Sequence, residues 1–467
     1  MGKLQHVPPN WTGSHRKGLI RYNDVSVTDS EAVNETPPRM ITWRSLMTVL
    51  ALFLLLGSAT QTRAFSNGQS PALVIGQMTL AGQSPATSQN GLDGPASVAF
   101  DKQGNMWVSD THNCRVLEFR PPFSNGLNAS IVLGQGDFST KQCVASKSGF
   151  SASADDGPGN VVFDSGGNLW VGGQGRVLEF VPPFVTGMSA SLIIGQKNFT
   201  SLDLRVSRST IGSFAYPYFD PSGDLWVLDS GNNRVLEFKP PFSSGMNSSL
   251  VIGQQGFTSD RVALAQSGLD SAQGDLAVDP SGNVWVGDNN NNRILEFSPP
   301  FSDGMNATLV IGQKDFVSGS RALCEGCAWG FAIAFDSGGN LWVSRLDRVL
   351  EFRTPFHSGM NSTQASLEIG QKNFTSLFLP ASQGGLNVPE GVGFDSSGNV
   401  WVTDGGNNRI LEFTCGESCP GSPVSGQQAV GIPIPLQLLA ASTLVVVIVA
   451  VCLVVLVRKR GSTADRT

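Results

Sequence analysis

Charge is scarce in this 467-residue chain. Only 15% of its residues are Asp, Glu, Lys or Arg, and the net charge of −6 with a pI near 5.3 leaves no basic excess. A chain that grips nucleic acid needs clustered Lys and Arg to neutralise phosphates, so nucleic acid is excluded as a partner. Histidine is scarcer still, at four residues. No nucleophile motif and no glycine-rich phosphate loop occurs. What the sequence has in quantity is glycine, 54 residues, beside 40% hydrophobic residues. That balance suits a large core and many turns, and points to an all-β, loop-rich chain.

Two segments depart from this composition. Leu46 to Ala59 is a 14-residue apolar stretch preceded by Arg39 and Arg44 and followed by small residues, with Ala64 as a second cleavage option. It reads as a signal peptide over residues 40–64, too short to span a bilayer comfortably. The polar residues 1–39 make a long lead for such a signal, which suggests translation from Met40. A cytoplasmic tail before an uncleaved anchor is the other reading. Near the far end, Leu438 to Val457 is 20 residues without a charge, followed by Arg458, Lys459 and Arg460. At about 1.5 Å per residue this run crosses the roughly 30 Å hydrocarbon core. We expect a transmembrane helix over residues 430–457 after a Cys/Gly/Pro/Ser linker at 415–429, with the basic residues 458–467 cytoplasmic and everything between the two segments outside.

Between those segments one sentence is repeated six times. GNVWVGDNNNNRILEF, Gly282 to Phe297, returns in variants centred on Trp107, Trp170, Trp226, Trp342 and Trp401, spaced 63, 56, 59, 57 and 59 residues apart. Each unit of about sixty residues carries four strand signals. Strand a ends in Asp, strand b holds the Trp, strand c is the Leu-Glu-Phe triplet and strand d is LVIGQ or a near copy. Strands a, b and c occur six times, but after the first Trp strand d occurs only five times. The missing copy is LVIGQ at Leu73 to Gln77, ahead of the first strand a. A linear stack has no use for an orphan outer strand. A closed ring does, so the expected fold is a six-bladed β-propeller over residues 71–414, closed by the N-terminal strand.

The pattern D-x-x-G-N-x-W-V-x-D-x-x-N-x-R-[VI], as in DPSGNVWVGDNNNNRI from Asp279 to Ile294, resembles the NHL repeat, whose members fold as propellers. Blades 2 and 5 depart from it by shortening the turn after strand b by two residues. The units are also longer than is usual for that repeat, through an added P-P-F-x-x-G-M-N loop before strand d. Asp288 and Arg293, with Asp110 and Arg115, Asp229 and Arg234, and Asp404 and Arg409, flank the turn between strands b and c. We read them, and the six Leu-Glu-Phe glutamates, as scaffold, because a group present in nearly every blade serves a need of every blade.

Six of the seven cysteines lie outside the expected membrane span. The expected disulfides are Cys114 with Cys143, Cys324 with Cys327, and Cys415 with Cys419. Zinc is the rival at Cys324 and Cys327, but no second Cys pair completes four ligands. Sequons occur at Asn128, Asn198, Asn247, Asn306, Asn361 and Asn373, where the same residues also suit turns.

Candidate binding residues are the carboxylates shortly before strand a: Asp93, Asp155, Asp156, Asp270 and Glu390. Loops there converge on the channel mouth, where carboxylates from several blades would suit Ca²⁺, although Asp-Gly is equally a turn signal. No other cofactor is expected. The leading functional reading is a surface-displayed binding or adhesion scaffold for an extracellular protein or glycan. A propeller enzyme of the lyase or lactonase kind, with a metal at the channel mouth, is the alternative, for which the ring offers only His112 and His357.

Overall fold

The computed structural model describes residues 65–153, 157–270, 275–319, 332–376 and 379–416. They form six four-stranded antiparallel sheets. Blade 1 comprises β2 (Pro95–Phe100), β3 (Met106–Asp110), β4 (Arg115–Phe119) and β5 (Ile131–Leu133). Blade 2 follows with β6 (Val161–Phe163) to β9 (Leu192–Ile194), and blade 3 with β10 (Ala215–Phe219) to β13 (Leu250–Ile252). Blade 4 runs from β14 (Leu276–Val278) to β17 (Leu309–Ile311), and blade 5 from β18 (Ile333–Phe335) to β21 (Leu367–Ile369). In blade 6, β22 (Pro389–Phe394), β23 (Val400–Asp404) and β24 (Arg409–Phe413) are completed by β1 (Leu73–Ile75). Leu73 pairs with Glu412 and Ile75 with Ile410, so the N-terminal strand closes the ring as the strand count required.

The ring is held from blade to blade by the repeated aromatics. Each tryptophan is fully buried and packs on the next blade: Trp107 meets Phe163 and Phe184, and Trp285 meets Phe335 and Phe356. The indole N–H donates to the aspartate that ends strand a, as from Trp107 to Asp101 at 3.1 Å and from Trp285 to Asp279 at 3.0 Å. The other oxygen of that aspartate accepts the backbone N–H groups of the following turn, for example from Gln103 and Asn105. One carboxylate therefore shapes the a-to-b turn and anchors the interblade indole.

The added proline-rich loops also work between blades. Phe123, Phe184, Phe242, Phe301 and Phe356 each cover the tryptophan of the preceding blade. A side chain just after each phenylalanine accepts a hydrogen bond from that blade's outer strand: Asn125 from Val74 at 2.9 Å, Asp303 from Val251 at 3.0 Å. Outer strands expose unpaired backbone groups that invite aggregation, and these loops occupy one such donor. The sixth copy sits at the N-terminus. Phe65 packs edge-on against Trp342 at 5.5 Å, and Asn67 accepts from Glu368 N–H at 3.0 Å. The ring thus begins at Phe65 rather than at residue 71.

The expected transmembrane helix at 430–457, the signal segment at 40–64 and the lead at 1–39 lie outside the described residues. Among those described, no helix is long and apolar enough to cross a membrane.

Candidate functional site

The d-to-a loops and b-to-c turns share one face of the ring, here the upper face. Cys114, in the first b-to-c turn, is disulfide-bonded to Cys143, in the following d-to-a loop, as expected. Equivalent turns make the same tie without sulfur. Cys114, Asn233, Asn292 and Asn408 all have φ between 51° and 53°, a left-handed conformation that Asn tolerates better than most residues. The three asparagines donate to d-to-a loop carbonyls of Asp260, Gly319 and Gln83. Cys415 is disulfide-bonded as well, while its expected partner Cys419 lies outside the described residues, as do Cys324 and Cys327.

Below those turns lie the buried ion pairs. Arg115 meets Asp110 at 2.7 Å, Arg234 meets Asp229 at 2.8 Å, Arg293 meets Asp288 at 2.6 Å and Arg409 meets Asp404 at 2.7 Å. Each aspartate also accepts the backbone N–H of the incoming loop, from Asp93, Gly212, Asp270 and Asn387 respectively. Each arginine spends its remaining donors on carbonyls of that loop and of the next d-to-a loop, as Arg115 does on Ser88 and Gly91 in the first and on Phe138 in the second. Burial pushes the Asp110 carboxyl up to about 6 even against the Arg115 charge, so the pair orders the loop at a desolvation cost. These groups are fully engaged in scaffold.

The central channel is a cavity of about 1190 Å³ walled by strand a of every blade. The residue four places before each strand-a aspartate differs in all six: Ser97, Asn160, Tyr216, Asp275, Ala332 and Gly391. Two carboxylates stand out. Asp275 bridges blades 4 and 5 by accepting N–H from Leu276 at 2.8 Å and Ile333 at 3.1 Å, and burial pushes its carboxyl up to about 7. It also faces Tyr218, whose phenol is pushed up to about 12 by burial and by the Asp275 charge. Glu390 occupies a β-bulge, since Pro389 pairs with Asp404 and Gly391 with the adjacent Thr403. Bulges redirect a side chain, and this one puts Glu390 on the channel wall. Though open to channel water, its carboxyl is enclosed by protein and pushed up to about 7 by that burial, with the nearby His112 opposing. Two residues earlier Val388 has φ of 51°, a strained conformation for a β-branched residue.

The other expected binding residues are placed differently. Asp93 lies on the upper face, paired with His112 at 3.3 Å and Lys141 at 3.0 Å. Asp270 accepts from Asn290 at 2.7 Å within its own blade. Asp155 and Asp156 lie outside the described residues. Asp93, His112 and Glu390 thus adjoin where blades 6 and 1 meet, and Asp270 does not join them. Among the described residues no group of three or more His, Cys, Asp and Glu side chains is placed to hold a metal ion. Asp275 escaped sequence reasoning because no other blade carries a carboxylate at its position. Its one signal was that departure from the repeat.

The model of the NHL repeat matches residues 274–297 and 386–413, strands a, b and c of blades 4 and 6. This chain is an NHL-repeat six-bladed β-propeller. No curated protein matches it significantly. Among solved structures this NHL propeller is similar to a streptogramin B lyase, 10% identical over 72% of this chain and 96% of that one, with a TM-score of 0.39. A virginiamycin B lyase from Staphylococcus aureus is 11% identical over 70% and 97%, TM-score 0.40. A candidate gluconolactonase is 13% identical over 76% and 97%, TM-score 0.41. Likenesses this distant carry no argument about activity.

Proposed function

We propose that this NHL propeller is a binding or adhesion scaffold for an extracellular protein or glycan, held at the outer side of a membrane by residues 430–457. The supporting observation is where its apolar side chains are exposed. Of the ten large hydrophobic residues exposed among those described, eight lie in the d-to-a connections of the upper face, including Val144, Val262, Leu264, Val317 and Phe374. Scattered apolar residues are ordinary on a protein surface, whereas concentration on one face favours a docking face. The sequon asparagines Asn128, Asn247 and Asn306 are exposed in the c-to-d loops, where they are open to glycan attachment. Asn361 is half-buried and caps a short helix, and Asn198 and Asn373 are exposed but bonded within their turns.

The test uses the full chain on intact cells. Protease should reach the propeller from outside, and arrayed proteins or glycans should retain the cells. Val262→Asp and Val317→Asp should each lower retention about tenfold while near-UV circular dichroism of the purified chain stays unchanged, the scale on which central contacts contribute to interfaces. An inaccessible propeller, or retention indifferent to both changes, would overturn the reading.

A second reading, a propeller enzyme of the lyase or lactonase kind, is favoured by one observation. Two channel carboxyls with values near 7 and a histidine beside one of them suit general acid–base catalysis. Lactone or ester turnover by the full chain that disappears with Glu390→Gln would establish it.

A further inference from the structure

We propose that the upper channel of this propeller is a subsite for an organic cation, an alkylammonium group seated between Glu390 and Asp275 against the Tyr216 and Tyr218 wall. The inference concerns the channel and does not depend on the docking face.

The starting point is the way this protein treats its enclosed carboxylates. Asp110, Asp229, Asp288 and Asp404 each meet an arginine. The aspartates that end strand a each bind an indole N–H and backbone donors of their own turn. Glu390 and Asp275 break that practice. Neither forms an ion pair among the described residues, and Glu390 accepts no hydrogen bond among them either. Asp275 accepts two backbone N–H groups and no charged donor. The hydroxyl of half-buried Tyr218, beside Asp275, likewise has no hydrogen-bond partner among the described residues. All three side chains line the open channel, where each is placed to meet the charge or donor that a ligand brings.

The chemistry of the wall selects the ligand. Carboxylates predominate around the channel: Asp101, Asp220, Asp275, Asp279, Asp336, Glu390 and Asp395 face Lys102 and His112. Lys102 is at the lower end, where its ammonium donates to the Ser165 carbonyl at 2.6 Å. His112 is the basic neighbour of Glu390, itself held by Asp93. The field inside a narrow, low-dielectric channel of that composition draws in cations. Between the carboxyls the wall is apolar and aromatic, with Val98, Val162, Val278 and Ile333 beside the two tyrosines. An apolar wall rewards alkyl groups, and tyrosine rings attract ammonium groups. A small hydrated metal ion would use neither. The bulge that aims Glu390 and the strained Val388 beside it hold the carboxylate in the position this ligand needs.

The test measures heat of binding by the full chain in detergent, at constant ionic strength, with n-pentylamine, tetramethylammonium and the neutral n-pentanol as probes. At least one of the two cations should bind at least tenfold more tightly than pentanol. Glu390→Gln and Asp275→Asn, each near-isosteric, should each weaken that cation about tenfold and leave pentanol unaffected. Near-UV circular dichroism from the six buried tryptophans reports whether each variant keeps its fold, and where one variant loses this signal the other decides. Equal binding of pentanol and both cations, or cation binding retained in the folded variants, would overturn the proposal. Loss of cation binding with cell retention intact would separate this subsite from the docking face.

Discussion

Blades 1, 3, 4 and 6 solve a problem that blades 2 and 5, on opposite sides of the ring, solve otherwise. In the first four, strand b ends in an aspartate that receives the arginine opening strand c. In blade 2 the aspartate position is Gly173, paired with Arg176, and in blade 5 it is Arg345, paired with Arg348. Blade 5 imports carboxylates from elsewhere: Arg348 binds Asp347 in the turn and Glu368 in the outer strand, each at 2.9 Å. Other outer strands carry Val or Ile where Glu368 stands. Among the described residues blade 2 imports nothing: Arg176 donates only to the carbonyls of Phe199 and Ser201, its Nε is unpartnered, and burial lowers it to about 10. The turn can be shortened, but the buried guanidinium still has to be met, and the ring tolerates one blade where it is met by carbonyls alone.

The largest expected effect breaks a full blade. Asp288→Ala leaves Arg293 buried with no counter-charge and should cost about 3–5 kcal/mol in chemical denaturation. It also removes the acceptor for Asp270 N–H and Asn291, so the loss should extend to the order of the blade 4 entry loop. A loss below about 1 kcal/mol would mean that full and short blades are energetically alike.

The second prediction concerns the covalent tie peculiar to blade 1. Replacing Cys114 and Cys143 by Ser reopens a loop with a sequence separation of 29. Chain-entropy reasoning puts the cost at about 3.5 kcal/mol. Asn at 114 with Ser at 143 should recover about 1 kcal/mol, because Asn accepts the left-handed backbone and can donate to the loop as Asn233 and Asn292 do. Identical stabilities for the two double variants would show that the asparagine ties are not equivalent to the disulfide.

How much of this was readable from sequence follows the repeat. The ring, its closure by Leu73 to Gln77, the Asp–Arg pairs and the Cys114–Cys143 bond were legible because each is a local pattern stated several times or a count that must balance. The strand-d glutamines recur as plainly, yet their role does not show in the sequence. Their amides reach carbonyls about 21 residues upstream, as Gln254 does to Asn233 O and Gln313 to Asn292 O, and only the tertiary fold brings those groups together. Phe65 was illegible because its loop lacks the proline that directly precedes the phenylalanine in every other copy. The channel was legible in part. Glu390 stands out as an acidic loop residue, but the bulge that aims it depends on cross-strand register, and Asp275 lies in a position that the repeat leaves free to vary.

Asp275 offers a test at the joint between a full blade and a short one. Its carboxyl is raised in the folded chain, so the folded state holds a proton that the unfolded state has released between about pH 4 and 7. The stability associated with this group is therefore present below the unfolded value and lost as pH rises through about 7. Asp275→Asn, which copies Asn160 at the same place in blade 2, removes that loss. Its melting temperature relative to the unmutated chain should rise by about 2–4 °C on going from pH 5 to pH 8, the scale of roughly 1 kcal/mol in a domain of this class. A difference independent of pH would place the charge of Asp275 outside the linkage.

The smallest effect should come from Arg176→Met in blade 2. In a full blade the equivalent change, Arg293→Met, strands a buried carboxylate and should approach the cost of Asp288→Ala. In blade 2 no carboxylate among the described residues is stranded. Two carbonyls lose donors, while an enclosed charge with an unsatisfied Nε is removed and the methionine side chain fills much of the same volume. Replacing poorly compensated buried charge by apolar volume is often neutral, so the change should stay within about 1 kcal/mol of zero. Restoring the aspartate instead, Gly173→Asp, should fail, because a Cβ there would lie 2.5 Å from the Phe150 carbonyl oxygen, a backbone atom that cannot swing aside. The short blade is thus closed to the full-blade solution by the same loop that the missing aspartate would otherwise have organised. A destabilisation by Arg176→Met as large as that by Arg293→Met would show that the carbonyl cradle alone supports the guanidinium as well as a carboxylate does.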